Sequence, residues 1–180
     1  MKPETAWSEE LGADFIPARN WLASVTLFAR QERNVIDWIR SSTLEKWRTS
    51  NIRQLHTLGA ELGLERSFGS EAGFSAHYSR ISTDAGTIGY VSKYVLDYAR
   101  DSWSASAFFP LLHAIVGRQT LIYKRRADGR SYWLLDGRLE RQFRLFVAGI
   151  DFTNLLNSRY QEVAGIDMPG RWFIFTIRTR

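Results

Sequence analysis

Two groups of basic and aromatic residues have the types and spacing to bind a ligand. One predicted connection carries Trp38, Arg40, Trp47 and Arg48, and another carries Arg125, Arg126 and Arg130. Guanidinium groups attract anions, and tryptophan rings stack on planar groups. The two groups therefore predict a surface that attracts an anionic or aromatic ligand. The alternative is that these arginines only keep their loops solvated.

Catalytic and metal-binding groups do not assemble in the sequence. The histidines His56, His77 and His113 are far apart, and no His-x-x-x-His spacing or carboxylate cluster accompanies them. There is no cysteine and no glycine-rich phosphate loop. Two carboxylates alternate with an arginine along one predicted strand, in the order Asp136, Arg138, Glu140. We expect ion pairs there, and we predict no catalytic residue, no metal site and no cofactor.

Composition allows a single domain over residues 1–180. The net charge of +5 comes from Lys and Arg spread along the chain, so it does not predict nucleic-acid binding. No run of about 18 apolar residues is present, so the sequence predicts no transmembrane helix.

Period-two alternation of apolar and polar residues dominates the chain. For example, Leu58, Ala60, Leu62 and Leu64 alternate with Gly59, Glu61, Gly63 and Glu65. Similar alternation predicts an all-β, antiparallel up-and-down meander of about nine strands. The predicted strands cover residues 5–16, 21–33, 58–65, 72–79, 93–109, 114–124, 133–140, 146–152 and 171–180.

One segment also fits a helix. Ile52, Leu55, Leu58 and Leu62 recur at helical spacing, and residues 49–51 (Thr-Ser-Asn) could cap a helix start. The alternation after Leu58, with two glycines in its polar row, favours a strand instead.

The apolar rows and the connections favour a membrane environment. Tryptophans lie near the ends of strands, at Trp7, Trp21, Trp103, Trp133 and Trp172. Connections alternate between short turns such as Pro17–Asn20 and longer stretches such as residues 34–47. Outer-membrane barrels have an outward apolar band, aromatic borders, tight periplasmic turns and longer extracellular loops. A soluble β-barrel with the Leu58 row inside, binding an apolar ligand, stays open as an alternative.

Both ends of the chain resemble one family. Residues 151–163 (DFTNLLNSRYQEV) followed by residues 165–173 (GIDMPGRWF) resemble the last hairpin of TonB-dependent outer-membrane receptors. Residues 2–12 (KPETAWSEELG) resemble a strand opening from inside the same barrel. The resemblance implies that the chain is the C-terminal portion of a transmembrane β-barrel of about 22 strands. Because the N-terminus also lacks a secretory signal, we expect a plug domain to lie upstream.

The resemblance also implies a function. Family members import a large chelate, such as an iron-siderophore or cobalamin, which docks on extracellular loops before the TonB complex pulls on the plug. The arginine and tryptophan groups would then contact the chelate or the phosphates of lipopolysaccharide. We therefore expect location in the outer membrane, with membrane lipid, lipopolysaccharide, the chelate and, through the plug, TonB as partners. An outer-membrane barrel hydrolase is a second alternative, although the sequence supplies no triad.

Overall fold

The computed structural model of the chain describes residues 1–42, 44–86, 89–111 and 114–179, with every side chain in these ranges except that of Arg53. His113 and part of the predicted turn around it lie outside these ranges. Ten strands make up the described fold: β1 (Thr5–Phe15), β2 (Trp21–Arg40), β3 (Arg48–Phe68), β4 (Ala72–Asp84), β5 (Val91–Ser92), β6 (Ala99–Pro110), β7 (Ile115–Arg126), β8 (Ser131–Gln142), β9 (Phe146–Thr153) and β10 (Trp172–Thr179).

Nine long strands form one antiparallel sheet in chain order. Each long strand pairs with the next, and the two-residue β5 pairs with the far end of β2. The sheet is open within the described residues, with β1 and β10 at its edges. The prediction of an all-β antiparallel meander is confirmed, and the strand prediction for the Leu58 segment is confirmed over the helix. None of the described segments forms a helix that could span a bilayer.

The sheet has an apolar face and a polar face. On the apolar face, Leu58, Leu62 and their neighbours across the pairing, Ala29 and Val25, form continuous rows. Leu58 is 64% exposed, and Leu62 is 50% exposed. On the polar face, Gly59, Glu61 and Gly63 lie opposite Phe28, Thr26 and Ser24. The apolar rows therefore point outward instead of packing together, which favours the membrane-facing arrangement over the soluble barrel.

The prediction that residues 34–47 form a long connection is wrong. β2 continues to Arg40, and β3 begins at Arg48, so only a short loop joins them. The register between β2 and β3 is the same on both sides of Asn34, whose φ is +56°. Before Asn34, the even-numbered residues of β2 face the polar side. After it, the odd-numbered residues Val35, Asp37 and Ile39 are the buried ones. The left-handed backbone of Asn34 therefore reverses the alternation. The simple period of two therefore fails at this point.

A small core lies on the extensions of β2 and β3. Val35, Ile52 and Leu55 are buried together, and the connection from β4 to β6 packs on them through Ala85, Tyr90, Val95 and Leu96. The buried carboxylate of Asp37 accepts hydrogen bonds from the hydroxyl of Ser92 and from the N–H of Val95. The predicted strand from Lys93 is therefore shorter than expected, because residues 93–98 belong to this folded connection and β6 begins at Ala99.

Candidate ligand site at the long-connection end

The two longest connections between the long strands, residues 85–98 and 154–171, lie at one end of the sheet, which we call the long-connection end. Residues 41–47 and 127–130 join strands at the same end, and the opposite end has turns such as residues 16–20 and 69–71. In a meander, every second connection returns to the same end. Residues that are distant in sequence therefore meet there.

Arg126, the last residue of β7, joins three of these connections. Its side chain is 4% exposed, and its Nη2 donates to Oδ1 of Asp97 at 2.6 Å and to the carbonyl of Asp97 at 2.7 Å. Its Nη1 donates to Oε2 of Glu162 at 3.3 Å. The N–H of Ala164 donates to the other oxygen of Asp97 at 2.7 Å. One buried guanidinium thus ties the β4–β6 and β9–β10 connections to the β7–β8 hairpin.

Glu162 completes this cluster and stays ionised. Nζ of Lys124 donates to Oε1 of Glu162 at 2.7 Å. Burial raises the pKa of Glu162, but the hydrogen bond from Lys124 and the positive charges of Lys124 and Arg126 outweigh it. The pKa of Glu162 therefore lies below its ordinary value. We call Asp97, Lys124, Arg126 and Glu162 the charge cluster.

A cavity of about 400 Å³ lies beside the charge cluster. It is lined by Arg126, Arg130, Ser131, Tyr132, Arg159, Tyr160, Gln161 and Asp167. The rings of Tyr132 and Tyr160 pack against each other at a tilt of 35°, with centroids 4.8 Å apart. Nε of Arg126 is buried and has no hydrogen-bond partner among the described residues. Guanidinium groups and phenol rings together suit an anionic ligand that contains aromatic rings.

Only two of the three arginines in the predicted group Arg125, Arg126 and Arg130 line the cavity. Arg126 and Arg130 line it, although Arg126 already binds two carboxylates and belongs to a strand, not to a loop. Arg130 Nη1 donates to Oε1 of Gln161 at 2.8 Å, and its Nε donates to Asp128 at 2.6 Å. Arg125 also belongs to β7, where neighbouring residues point to opposite faces. It therefore faces away from the cavity.

The second predicted group forms a separate cluster. The guanidinium of Arg40 lies 4.4 Å from the ring centroid of Trp47, and Nζ of Lys93 lies 5.6 Å from the same ring. Trp38 and Arg48 are exposed on the strand ends beside it. None of these residues lines the cavity. The structure thus brings Arg40 and Trp47 together, as a second basic and aromatic surface at the same end.

Sequence reasoning missed the contribution of the β9–β10 connection. Arg159, Tyr160 and Gln161 lie within the segment that carried the family resemblance, but none of them was predicted to contact a ligand. The adjacent guanidinium and phenol were a signal that could have suggested a ligand contact. Asn154 orders this connection, because its buried amide group bonds both Ser158 and the carbonyl of Pro169.

The predicted ion pairs on the polar face are present. Arg138 binds Glu140 at 3.0 Å and Asp151 at 3.0 Å, while Asp136 accepts the N–H of Asn154 at 2.7 Å. No group of three or more His, Asp or Glu side chains within the described ranges could hold a metal ion. These carboxylates therefore form ion pairs and a backbone hydrogen bond on the polar face of the sheet.

A comparison with sequence models of protein families decides the family. Residues 1–155 match the family described as TonB dependent receptor-like, beta-barrel. The chain belongs to the TonB-dependent receptor family. Members of this family are outer-membrane transporters rather than enzymes. No curated protein sequence matches this receptor chain.

Solved receptors share the fold of this receptor chain. The ferric-catecholate import receptor Fiu from K12 E. coli matches 99% of the chain with a TM-score of 0.69 at 15% identity. The siderophore receptor PirA from Pseudomonas aeruginosa matches 98% with a TM-score of 0.67 at 16% identity. A mutant of the ferric enterobactin receptor PfeA from the same organism, in complex with enterobactin, matches 98% with a TM-score of 0.69 at 15% identity.

The match covers only a part of each solved receptor. The chain spans 28% of Fiu, 30% of PirA and 31% of PfeA. The likeness therefore describes one portion of a TonB-dependent receptor barrel.

Proposed function

We propose that the chain serves in the uptake of an iron-siderophore across the outer membrane, as the C-terminal part of the β-barrel of a TonB-dependent receptor. Residues 1–180 form one unit of that barrel. The plug and its contact with TonB belong to the remainder of the receptor. The family and the solved siderophore receptors support this proposal.

The observation that carries the proposal is the cavity beside the charge cluster. Tyr132 and Lys124 lie opposite each other on β8 and β7, in the row of residues that forms the polar face. The cavity beside them therefore opens toward the barrel interior. Arg130 and Arg159 bring positive charge to it, and Tyr132 and Tyr160 bring two adjacent phenol rings. Many ferric chelates are anionic and present oxygen-bearing aromatic rings. Such a chelate would bind by charge and by stacking at once.

The same cavity chemistry favours a ferric siderophore over cobalamin as the ligand. Cobalamin, which the sequence resemblance also suggested, carries no set of acidic aromatic oxygens that would call for several arginines, and the solved relatives are siderophore receptors. Arg40 and Trp47 would form an outer contact surface for the same anionic chelate. Lipopolysaccharide would be the alternative ligand for arginines that face outward.

The proposal is tested by titrating the chain in detergent micelles with ferric tris-catecholate and following the quenching of tryptophan fluorescence. The variants Arg130→Gln and Arg159→Gln each remove one guanidinium from the cavity. Each charge-assisted contact contributes roughly 1.5–3 kcal/mol, so each variant should weaken binding about tenfold or more. Raising the salt concentration should weaken binding by the unchanged chain as well.

A matched control removes an arginine from the polar face outside the cavity. Arg30 is half-exposed and pairs with Glu32 on β2, so Arg30→Gln should leave the affinity within about twofold. Equal losses in the control and the cavity variants would show that only net charge attracts the chelate. Unchanged affinity in both cavity variants would refute the site.

A further inference from the structure

Four aromatic side chains form a row across the apolar face. Tyr78 of β4 lies opposite Trp103 of β6, which lies opposite Tyr123 of β7, which lies opposite Trp133 of β8. The ring centroids of Tyr78 and Trp103 are 4.2 Å apart, and those of Tyr123 and Trp133 are 4.8 Å apart. An aromatic row at one height marks the border between hydrocarbon and headgroups in membrane barrels.

A shallow apolar groove of about 370 Å³ runs along this row. Ala76 and Ala105 form its floor, and Trp103, Leu121 and Trp133 rise around it. Small side chains in register with large rings create a gap in the outward surface. The groove is lined almost entirely by apolar atoms, which is the environment that an acyl chain requires.

A group of arginines lies one step beyond the aromatic row, toward the long-connection end. In the sheet, Asp101 of β6 lies opposite Arg80 of β4 on one side and opposite Arg125 of β7 on the other. The register shifts between Ala99 and Asp101, so Arg100 is an extra residue in a β-bulge. Bulges redirect side chains, and Nε of Arg100 does reach Oδ2 of Asp101 at 3.1 Å.

These arginines have spare positive charge. Nη1 of Arg80 donates to Oδ1 of Asp101 at 3.1 Å, and the hydroxyl of Tyr78 donates to the same oxygen at 3.1 Å. Asp101 is covered, whereas the side chain of Arg80 is 58% exposed. Arg125 is exposed and has no ion-pair partner among the described residues. The carboxylate of Asp101 therefore positions Arg80 and Arg100, and its single charge does not neutralise all three arginines.

We propose that this surface is a binding site for a phosphate-bearing lipid. One acyl chain lies in the groove, and the lipid phosphate is bound by Arg80, Arg100 and Arg125. Headgroup phosphates lie just beyond the aromatic border of a bilayer, so a single lipid reaches both parts. A free phosphate ion would gain nothing from the groove. The inference rests on the proposed outer-membrane location and does not depend on the cargo.

The test uses the chain in phosphatidylcholine vesicles whose acyl chains are brominated and quench tryptophan. Bisphosphorylated lipid A with ordinary chains displaces the quencher and restores fluorescence, and dephosphorylated lipid A is the comparison. A Trp103→Phe and Trp133→Phe double variant identifies the part of the signal that arises at the groove. We expect the phosphorylated lipid to act at a mole fraction at least tenfold lower than the dephosphorylated one.

Variants locate the phosphate contact. Arg100→Gln and Arg125→Gln should each reduce the preference for the phosphorylated lipid about fivefold, the usual effect of one basic residue at a membrane surface. Arg141 lies in the apolar-face row of β8 at the short-turn end and serves as the control. Arg141→Gln should leave the preference unchanged. Circular dichroism establishes that each variant keeps its strands.

Three results would overturn the proposal. Equal displacement by the two lipids in the unchanged chain would show an apolar surface without a phosphate site. Competition by millimolar inorganic phosphate would show a site for free anions. A loss in Arg141→Gln as large as that in the other variants would show attraction by net charge alone. If the arginine variants fail to fold, the comparison of the two lipids on the unchanged chain decides. Loss of ferric-chelate binding would leave these readouts unaffected.

Discussion

Replacing Arg126 with methionine should release two connections at once. Methionine keeps an unbranched apolar stem as long as the aliphatic part of arginine but removes the charge and the donors. Asp97 would lose the bond at 2.6 Å, and Glu162 would lose the bond at 3.3 Å. Since these carboxylates belong to separate connections, both connections should open more often.

The size of the effect follows from burial. Asp97 is 12% exposed on its side chain and would keep only the N–H of Ala164 among its bonds to other connections. Removing one partner of a buried ion pair costs roughly 3–5 kcal/mol. Because Glu162 is 30% exposed and keeps Lys124, we take the lower end, about 3 kcal/mol. A change of 1.4 kcal/mol is tenfold in an equilibrium, so the opening equilibrium should rise about a hundredfold.

Hydrogen exchange followed by mass spectrometry measures this opening. Amides in residues 94–98 and 159–168 should lose about two orders of magnitude of protection, whereas those of β7 and β8 away from the cluster should change little. Arg130→Met is the matched control, because it removes only exposed contacts, an ion pair with Asp128 and one hydrogen bond to Gln161. An exposed pair contributes at most about 1 kcal/mol. Protection within threefold of the unchanged chain in Arg126→Met would refute the reasoning.

Three further outcomes are expected. The pKa of Glu162 is lower in the folded chain, so its stabilising effect is complete above the unfolded pKa of about 4.3 and is lost as pH falls through the folded pKa. Hydrogen exchange of the amides in residues 159–168 should therefore accelerate below about pH 4. The acceleration should be smaller in Glu162→Gln. Asn154→Ala should lower the free energy of unfolding in urea by about 2–4 kcal/mol, since it removes buried amide bonds at a residue with φ of +48°; Asn154→Gly, which relieves the backbone, should cost less. Gly59→Ala should destabilise by about 1–3 kcal/mol because its Cβ would lie 2.0 Å from the ring of Phe28; a smaller loss is expected when Phe28→Leu is present, and an equal loss would contradict the proposed clash.

The strands were predictable because alternation records directly which face of a sheet a residue occupies. Leu58 to Glu65 shows this, since its two rows lie on opposite faces as expected. Glycines in the polar row also favoured a strand, and the structure gives a reason: Phe28 lies across Gly59. Helical spacing of the same leucines was coincidental.

Local departures from alternation could not be predicted. Asn34 has a left-handed backbone that reverses the faces of β2, and the residues after it were predicted to form a connection instead of the end of this strand. The bulge at Arg100 has the same effect at the start of β6. Each departure depends on one backbone conformation, and asparagine or arginine adopts many conformations elsewhere in a chain.

The candidate site was only partly predictable because its partners come from distant segments. Arg126 binds residues that precede it by 29 positions and follow it by 36. Nothing near it in sequence indicates that it is buried. The cavity also depends on Arg159 and Tyr160, which approach β8 only because Asn154 orders the connection between β9 and β10.

The arginines of the β7–β8 hairpin show why a cluster in sequence is not yet a site. Neighbouring residues of a strand face opposite sides, so Arg125 lies on the apolar face of the sheet and Arg126 lies on the polar face. Arg130, beyond the turn, reaches the cavity and Gln161. Arg125→Gln should therefore change lipid preference without changing chelate affinity, and Arg130→Gln should do the reverse. A single variant that lowers both would show that the two faces do not act independently.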